Sequence, residues 1–229
     1  MSQVKKYKAE VISVLNPVND IFTVEFRSHT GRFKYLPGQF LHLALDEYDL
    51  SFGWPESRCF SMQSSPDNEF IKITFSVKGN FTSRMAQELT KGKIIDIKLP
   101  YGELFQFEHS KENFVFIAGG TGITPFLSVF NDSFFVDYNN PKLYFGVRNQ
   151  HYNIYDIELE LARKINPTLN INIKYQNVDG VLDIDSISYE NGISTTYFIS
   201  GPQIMIASFK SRLISFGLKE NFIKTDEWE

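Results

Sequence analysis

Phe114-Val115-Phe116-Ile117-Ala118-Gly119-Gly120-Thr121-Gly122-Ile123-Thr124-Pro125 decides how this chain folds. The five apolar residues from Phe114 to Ala118 run without alternation. That is the pattern of a parallel-sheet strand buried on both faces. Three glycines and a threonine follow, and then Phe126, Leu127, Val129 and Phe130 recur at helical spacing. The order is strand, glycine turn, helix, with Thr124 suited to a cap and Pro125 to the first helical position. Glycines let backbone approach a ligand, and the free N–H groups of a helix start attract phosphate. The same turn also serves as a plain tight connection. Pro125 stands where the last glycine of the Gly-x-Gly-x-x-Gly fingerprint would fall, so the flanking chain must decide.

On the C-terminal side, strand patterns alternate with helical ones. Strands are predicted at 114–118, 142–147, 170–176, 196–200 and 222–225, and helices at 125–135, 155–165 and 202–216. This reads as an α/β domain with a mostly parallel sheet. Residues 177–194 carry polar and glycine breaks and receive no assignment. On the N-terminal side the pattern is different. Residues 7–26 alternate as two strands broken at Asn16-Pro17 and Asn19-Asp20, and further strands follow at 40–45, 58–63, 70–78 and 94–99. Residues 46–57 read as a loop, and only one short helix is predicted, at 82–89. Many short strands separated by turn signals suggest an antiparallel β-barrel. The charged segment at 108–113 reads as a linker, dividing the chain into domains at 1–110 and 111–229.

Bulk properties narrow the function. The 229 residues are 42% apolar and 22% charged, enough to bury a core. A net charge of -4 argues against nucleic acid as the main partner. The single cysteine, Cys59, excludes an intramolecular disulfide and an iron–sulfur cluster held by four cysteines of these 229 residues. The N-terminus runs straight into a strand pattern and no apolar run is long enough to span a bilayer, so the expected setting is cytoplasmic, without membrane insertion. His29, His42, His109 and His151 show no metal-ligand spacing, and no metal site is expected.

Three more constellations accompany the glycine loop. Arg58-Cys59-Phe60-Ser61-Met62 places Arg58 and Phe60 on one side of a strand, a guanidinium for a diphosphate and a ring for a flat ligand. An edge arginine beside a core phenylalanine would read the same way. Val77-Lys78-Gly79-Asn80-Phe81-Thr82-Ser83 is a glycine turn entering a helix capped by Thr82 and Ser83, again a place for phosphate or a plain helix start. Phe198-Ile199-Ser200-Gly201-Pro202-Gln203-Ile204-Met205 repeats the opening logic. Two helix N-termini then meet at the carboxyl edge of one sheet, where open α/β sheets bind ligands.

Together and in this order, the four resemble the ferredoxin–NADP reductase-like family of flavoproteins over nearly the whole chain. Its Arg-x-Tyr-Ser motif corresponds to Arg58, Phe60 and Ser61, followed by Ser64-Ser65-Pro66. Its Gly-x-x-Ser/Thr turn corresponds to Gly79 and Thr82, and its barrel ending to Pro100 and Gly102. Its nicotinamide-nucleotide loop corresponds to Gly119, Gly120, Thr121, Gly122, Ile123, Thr124 and Pro125. Its Cys-Gly-Pro-x-x-Met turn corresponds to Gly201, Pro202 and Met205, and its aromatic C-terminus to Asp226-Glu227-Trp228. Three departures stand out. Phe60 replaces a tyrosine and lacks its hydroxyl. Ser200 replaces a cysteine, and Glu229 follows the aromatic Trp228.

The resemblance implies a barrel holding a flavin and an α/β domain holding NAD(P)H. The flavin would be FAD rather than FMN, because the Gly79–Thr82 turn suits a diphosphate. Residues 58, 60–62, 77–79, 81 and 82 would hold it, and Ser61 would meet its N5. The nucleotide would lie across 119–125, Arg148, Gly201, Pro202 and Met205. Ser61, Ser200, Glu227 and Trp228 would flank the hydride path. Tyr175-Gln176-Asn177 falls roughly where NADPH-using relatives carry a Ser-Arg pair. The lack of a guanidinium there leans the reading to NADH, while Arg148 could reverse it. The expected activity is hydride transfer from NAD(P)H to FAD, then electron transfer to a separate acceptor: a ferredoxin, a flavodoxin or an oxygenase partner. An electron-relay subunit of a larger complex and a free-flavin reductase are the alternatives.

Overall fold

The structure is a computed structural model that describes residues 3–105 and 109–226. Its N-terminal part is a six-stranded antiparallel sheet: β1 (Lys5–Val18), β2 (Ile21–Ser28), β3 (Phe40–Ala44), β4 (Ser57–Ser61), β5 (Ile71–Ser76) and β6 (Ile94–Tyr101). The spatial order is β4-β3-β6-β1-β2-β5. The sheet curls until its edges meet just past β4, where Gln63 N donates to Lys72 O at 2.8 Å. Alternating side chains such as Val11, Val24, Phe26, Leu41, Leu43 and Ile97 fill the barrel. Helix α1 (Asn80–Glu88) closes one end with Phe81 and Met85.

Two details differ from the sequence reading. β1 runs through Asn16-Pro17, because a register shift between Leu15 and Val18 accommodates the proline. Asn16 Nδ2 bonds both Val18 O and Ile21 O, so the turn falls only at Asn19-Asp20. Helix α1 starts two residues earlier than predicted. Gly79 is its N-cap, and Thr82 reaches back so that its Oγ1 accepts from Lys78 N and Gly79 N.

The C-terminal part is a parallel sheet of β7 (Phe114–Gly119), β8 (Lys142–Val147), β9 (Asn170–Tyr175), β10 (Thr196–Ser200) and β11 (Ile223–Thr225), ordered β11-β10-β7-β8-β9. Helices α2 (Thr124–Phe130) and α3 (Asp156–Ile165) cover one face, while α4 (Gln176–Asp179), α5 (Ile184–Asn191) and α6 (Gln203–Ser215) follow β9 and β10. Phe114, Phe116 and Ala118 pack with the α2 and α3 side, and Val115 and Ile117 with the α5 and α6 side. That explains the unbroken apolar run. The predicted helix at 125–135 stops at Phe130, and a separate 3-10 turn at Ser133–Asp137 is capped by the Asp132 side chain. The unassigned 177–194 segment forms most of α4 and all of α5, ended by Gly180 and Gly192 at positive φ.

The order in which strands are added reverses between β7 and β10, which run parallel. One connection leads to β8 and the other returns on the opposite side, so the switch point lies at the carboxyl ends of β7 and β10.

Candidate cofactor cleft between the two sheets

At that switch point the glycine stretch forms a 3-10 turn, Gly120–Ile123, before α2. Ile123, not Thr124, is the N-cap. Thr124 is the first helical residue, and its Oγ1 donates to Thr121 O at 3.0 Å. A Cβ on Gly122 would lie 2.5 Å from Gly201 Cα, so the two turns touch backbone to backbone. Only glycine permits this approach. Gly122 therefore serves the packing of the two turns. Gly120 is the open position, at φ +55° with nothing near a Cβ.

Across the cleft stand the barrel residues. Arg58 donates to Glu56 Oε1 at 2.8 Å and to Ser57 O at 2.9 Å, and its guanidinium lies 5.1 Å above the Phe81 ring. Phe60 leans on Phe75 with ring centroids 6.0 Å apart. The first N–H groups of α1 have no carbonyl behind them in the helix. Together these surfaces enclose a cleft of about 1340 Å³. This exceeds the roughly 300–1,000 Å³ of common small-molecule sites and suits two nucleotide-sized ligands.

The two halves meet at a carboxyl group. Asp226 is 7% exposed. Its Oδ2 accepts from Ser61 Oγ at 3.4 Å and from Ser200 Oγ at 3.3 Å. Its backbone N–H is held by Ile199 O at 3.1 Å, which extends the β10–β11 pairing by one residue. Burial pushes this carboxyl up to about 7, against the opposing pull of the Ser200 and Ser61 hydroxyls. One side chain from barrel strand β4 and one from parallel strand β10 thus share a titratable oxygen.

Of the sequence-predicted residues, Arg58, Phe60, Ser61, Val77, Lys78, Gly79, Phe81, Thr82, Gly119, Gly120, Thr121, Gly122, Thr124, Arg148, Ser200, Gly201, Pro202 and Met205 line the one cleft. Met62, Ile123 and Pro125 do not. Met62 follows the end of β4 and is fully buried in the barrel core, and the 3-10 turn rotates Ile123 into the core beneath α2. Pro125 is buried on the second residue of that helix. Glu227 and Trp228 lie outside the described residues. Two residues were missed. Asp226 was passed over for its neighbour, because a three-residue strand gives no readable alternation. Tyr155 lines the cleft at 2% exposure, and among the described residues its hydroxyl has only the Thr74 side chain near it and no well-formed hydrogen bond. Its sequence context reads as a plain helix start. An orphaned buried hydroxyl facing such a cleft fits a polar ligand atom. Arg58, the α1 turn, the Phe60 ring and this hydroxyl fit a flavin nucleotide. Among the described residues no cluster of three or more His, Cys, Asp or Glu side chains could hold a metal, and no helix is long and apolar enough to cross a membrane.

A barrel that can seat a flavin, followed by an α/β domain with its switch point on the same cleft, is the architecture of the ferredoxin–NADP reductase-like proteins. The chain belongs to the FAD-binding domain family, which matches residues 1–132, and the oxidoreductase NAD-binding domain matches residues 116–210. The methane monooxygenase component C of Methylosinus trichosporium is 32% identical over 155 residues, 66% of this chain and 44% of that protein. The chain thus spans less than half the length of that curated relative. Two solved structures share the fold. A cytochrome P450 reductase from Amycolatopsis gives a TM-score of 0.82 at 16% identity, covering 98% of this chain and 70% of its own. The ferredoxin–NADP+ reductase of Plasmodium falciparum gives 0.76 at 20% identity, covering 97% and 96%.

Proposed function

We propose that this chain is a flavin-dependent NAD(P)H oxidoreductase that passes electrons to a separate acceptor protein, a ferredoxin, a flavodoxin or an oxygenase component. The observation that carries the reading is the junction at Asp226, where Ser61 of the barrel and Ser200 of the parallel sheet share one buried carboxyl on the cleft. The relative named as a monooxygenase component and the P450 reductase support the acceptor class. Residues 1–110 would seat the flavin and 111–229 the nucleotide. A bound flavin supplies the redox chemistry, accepting hydride from a nicotinamide ring.

The chain's own residues position and protect that chemistry. Arg58 exchanges Glu56 for a diphosphate, aided by the N–H groups that open α1, and this favours FAD over FMN. Phe60 packs against a flat ring. Ser61 and Ser200 would offer hydroxyls to the bound rings from the two halves of the cleft, and Asp226 Oδ2, which accepts from both, would hold or release a proton there. Glu227 and Trp228 are assigned a flanking role from the family motif alone. The lack of a guanidinium in Tyr175-Gln176-Asn177 favours NADH, whereas the charges lining the cleft weigh toward NADPH. The lone free cysteine, Cys59, suits a cytoplasmic, reducing setting.

The test is a visible spectrum of the purified protein after FAD loading, followed by anaerobic addition of NADH and, separately, NADPH. Flavin bands bleached by either nucleotide are expected. A bound flavin that neither bleaches would replace this reading with that of a relay subunit.

A further inference from the structure

The strongest feature without a role so far is the phenol of Tyr155. Tyr155 is the N-cap of α3, and its carbonyl accepts from Leu159 N at 2.9 Å. Its ring meets Phe145 of β8 edge-on, with centroids 6.0 Å apart. Backbone and ring are thus held by the parallel-sheet half, while the hydroxyl lies beside Thr74 of barrel strand β5. The residue is all but sealed from solvent, so the hydroxyl sits deep in the cleft that Phe60 and Thr74 also line.

Counting hydrogens shows what that hydroxyl lacks. Thr74 has a single hydroxyl hydrogen and gives it to Gln63 Oε1 at 2.6 Å. Thr23 is then the donor in its 3.1 Å contact with Thr74. Gln63 Nε2 turns to Glu158 Oε1 at 3.2 Å, and Lys72 Nζ approaches the same oxygen at 3.5 Å. Thr74 therefore has no hydrogen left for Tyr155, and among the described residues the Tyr155 hydroxyl makes no well-formed hydrogen bond. Burial pushes this phenol up, and the Glu158 charge adds to the push against a smaller opposing pull from Thr74. It stays protonated and available as a donor. A buried hydroxyl left unpaired is costly, and a ligand acceptor removes that cost.

We infer that the Tyr155 hydroxyl donates to a ring carbonyl of the bound flavin, so that a residue of the nucleotide-binding half helps to set how readily the flavin is reduced. This rests on the reading above that the barrel seats a flavin, and deepens it. The physical argument is one of matching. A flavin ring is apolar over most of its area and carries its carbonyls along one edge. Phe60 meets the apolar area, and the lone buried donor meets the edge. A nicotinamide carboxamide also has a carbonyl, but the hydroxyl's neighbour is barrel strand β5, on the flavin side. Hydrogen bonds strengthen as the acceptor gains negative charge. A reduced ring is richer in electrons than an oxidised one, so a donor at its carbonyl favours reduction.

The test is FAD binding and redox titration of the FAD-loaded protein beside its Tyr155→Phe variant, which keeps the ring against Phe145. Oxidised FAD should bind the variant about tenfold more weakly. Reduced FAD should lose about tenfold more again, which puts the two-electron midpoint about 30 mV more negative. Replacing Tyr155 by 3-fluorotyrosine, a stronger donor of nearly the same size, should move the midpoint the other way. That replacement removes no group and keeps the proposal testable if the phenylalanine variant does not fold. An unmoved midpoint would overturn the proposal, because a packing role weakens both redox forms equally. An unchanged FAD affinity and midpoint with a raised KM for the nucleotide would also overturn it, assigning the hydroxyl to the nicotinamide. An unaltered protein that takes up no FAD would remove the flavin reading itself and this inference with it. Opposite midpoint shifts in a protein whose flavin neither nucleotide bleaches would uphold the Tyr155 contact and remove the oxidoreductase reading.

Discussion

Asp226 carries the clearest pH signature. Its carboxyl titrates near 7 in the folded chain and near 4 when exposed. Between those values the unfolded chain has released the proton and the folded chain has kept it. Stability therefore falls as pH rises from 4 to 7 and is level above, with an upper bound of about 4 kcal/mol on the loss. Asp226→Asn removes that loss and can still bond both serines. Thermal melts across pH should show the variant gaining on the parent through this window, by up to roughly 10 °C at pH 8. A constant offset would place the carboxyl elsewhere. Across the cleft, Arg58→Ala should weaken FAD binding about tenfold or more in a fluorescence titration. Phe60→Tyr should be tolerated, since this half-buried ring lines a cleft with room for one more oxygen. Arg58, Phe60 and Ser61 were legible in the sequence because a strand fixes which residues share a face. Tyr155 was not, because nothing local marks a hydroxyl that will be buried by a second domain.

At the scale of elements, the contact between the two turns is decisive. Gly122→Ala drives a methyl into the Gly201 backbone, which has no rotamer to yield. The expected cost is about 2 kcal/mol or more, read as a drop of roughly 4–8 °C in Tm. Gly120→Ala lies in open space but at positive φ and should cost less, about 1 kcal/mol. A reversed ranking would mean that the two turns do not carry each other. The Phe114–Ala118 strand was readable because both of its faces are covered. The early stop of α2 was not. Its apolar pattern continues through Phe134 and Phe135, and only the Asp132 cap on the next turn breaks the helix. Helix α5 was hidden because its short apolar face, Ile184 and Ile187, sits among polar residues.

At the scale of the molecule, the barrel and the parallel domain share a polar seam. Ser65 Oγ donates to Asp132 Oδ2 at 2.9 Å, Ser128 Oγ to Ser64 O at 2.8 Å, and Gln63 Nε2 to Glu158 Oε1 at 3.2 Å. The first two bonds are buried, so breaking them on separation leaves groups without partners. The domains should unfold together, giving a single calorimetric transition. Ser65→Ala should cost about 1–3 kcal/mol by stranding an Asp132 oxygen. Two resolved transitions in the unaltered protein would show the seam to be weak. The division into barrel and α/β sheet was legible because the repeat of the apolar pattern changes from two to mixed. The seam was not, since its partners lie up to 95 residues apart and each serine alone reads as a turn residue.

The three residues of β11 hang on the sheet by pairing with β10 alone, and the Asp226 amide closes that ladder on Ile199 O. That single N–H is a gauge of whether the junction is shut. Slow exchange with deuterated solvent means that the carboxyl is seated between its two serines. Fast exchange means that the edge has frayed and the cleft has lost its shared oxygen. Because seating a charged carboxylate is dearer than seating a neutral one, protection at this amide should fade between about pH 4 and 7 beyond the ordinary base-catalysed trend and follow that trend alone above 7, while the Phe116 amide in the central strand follows it throughout.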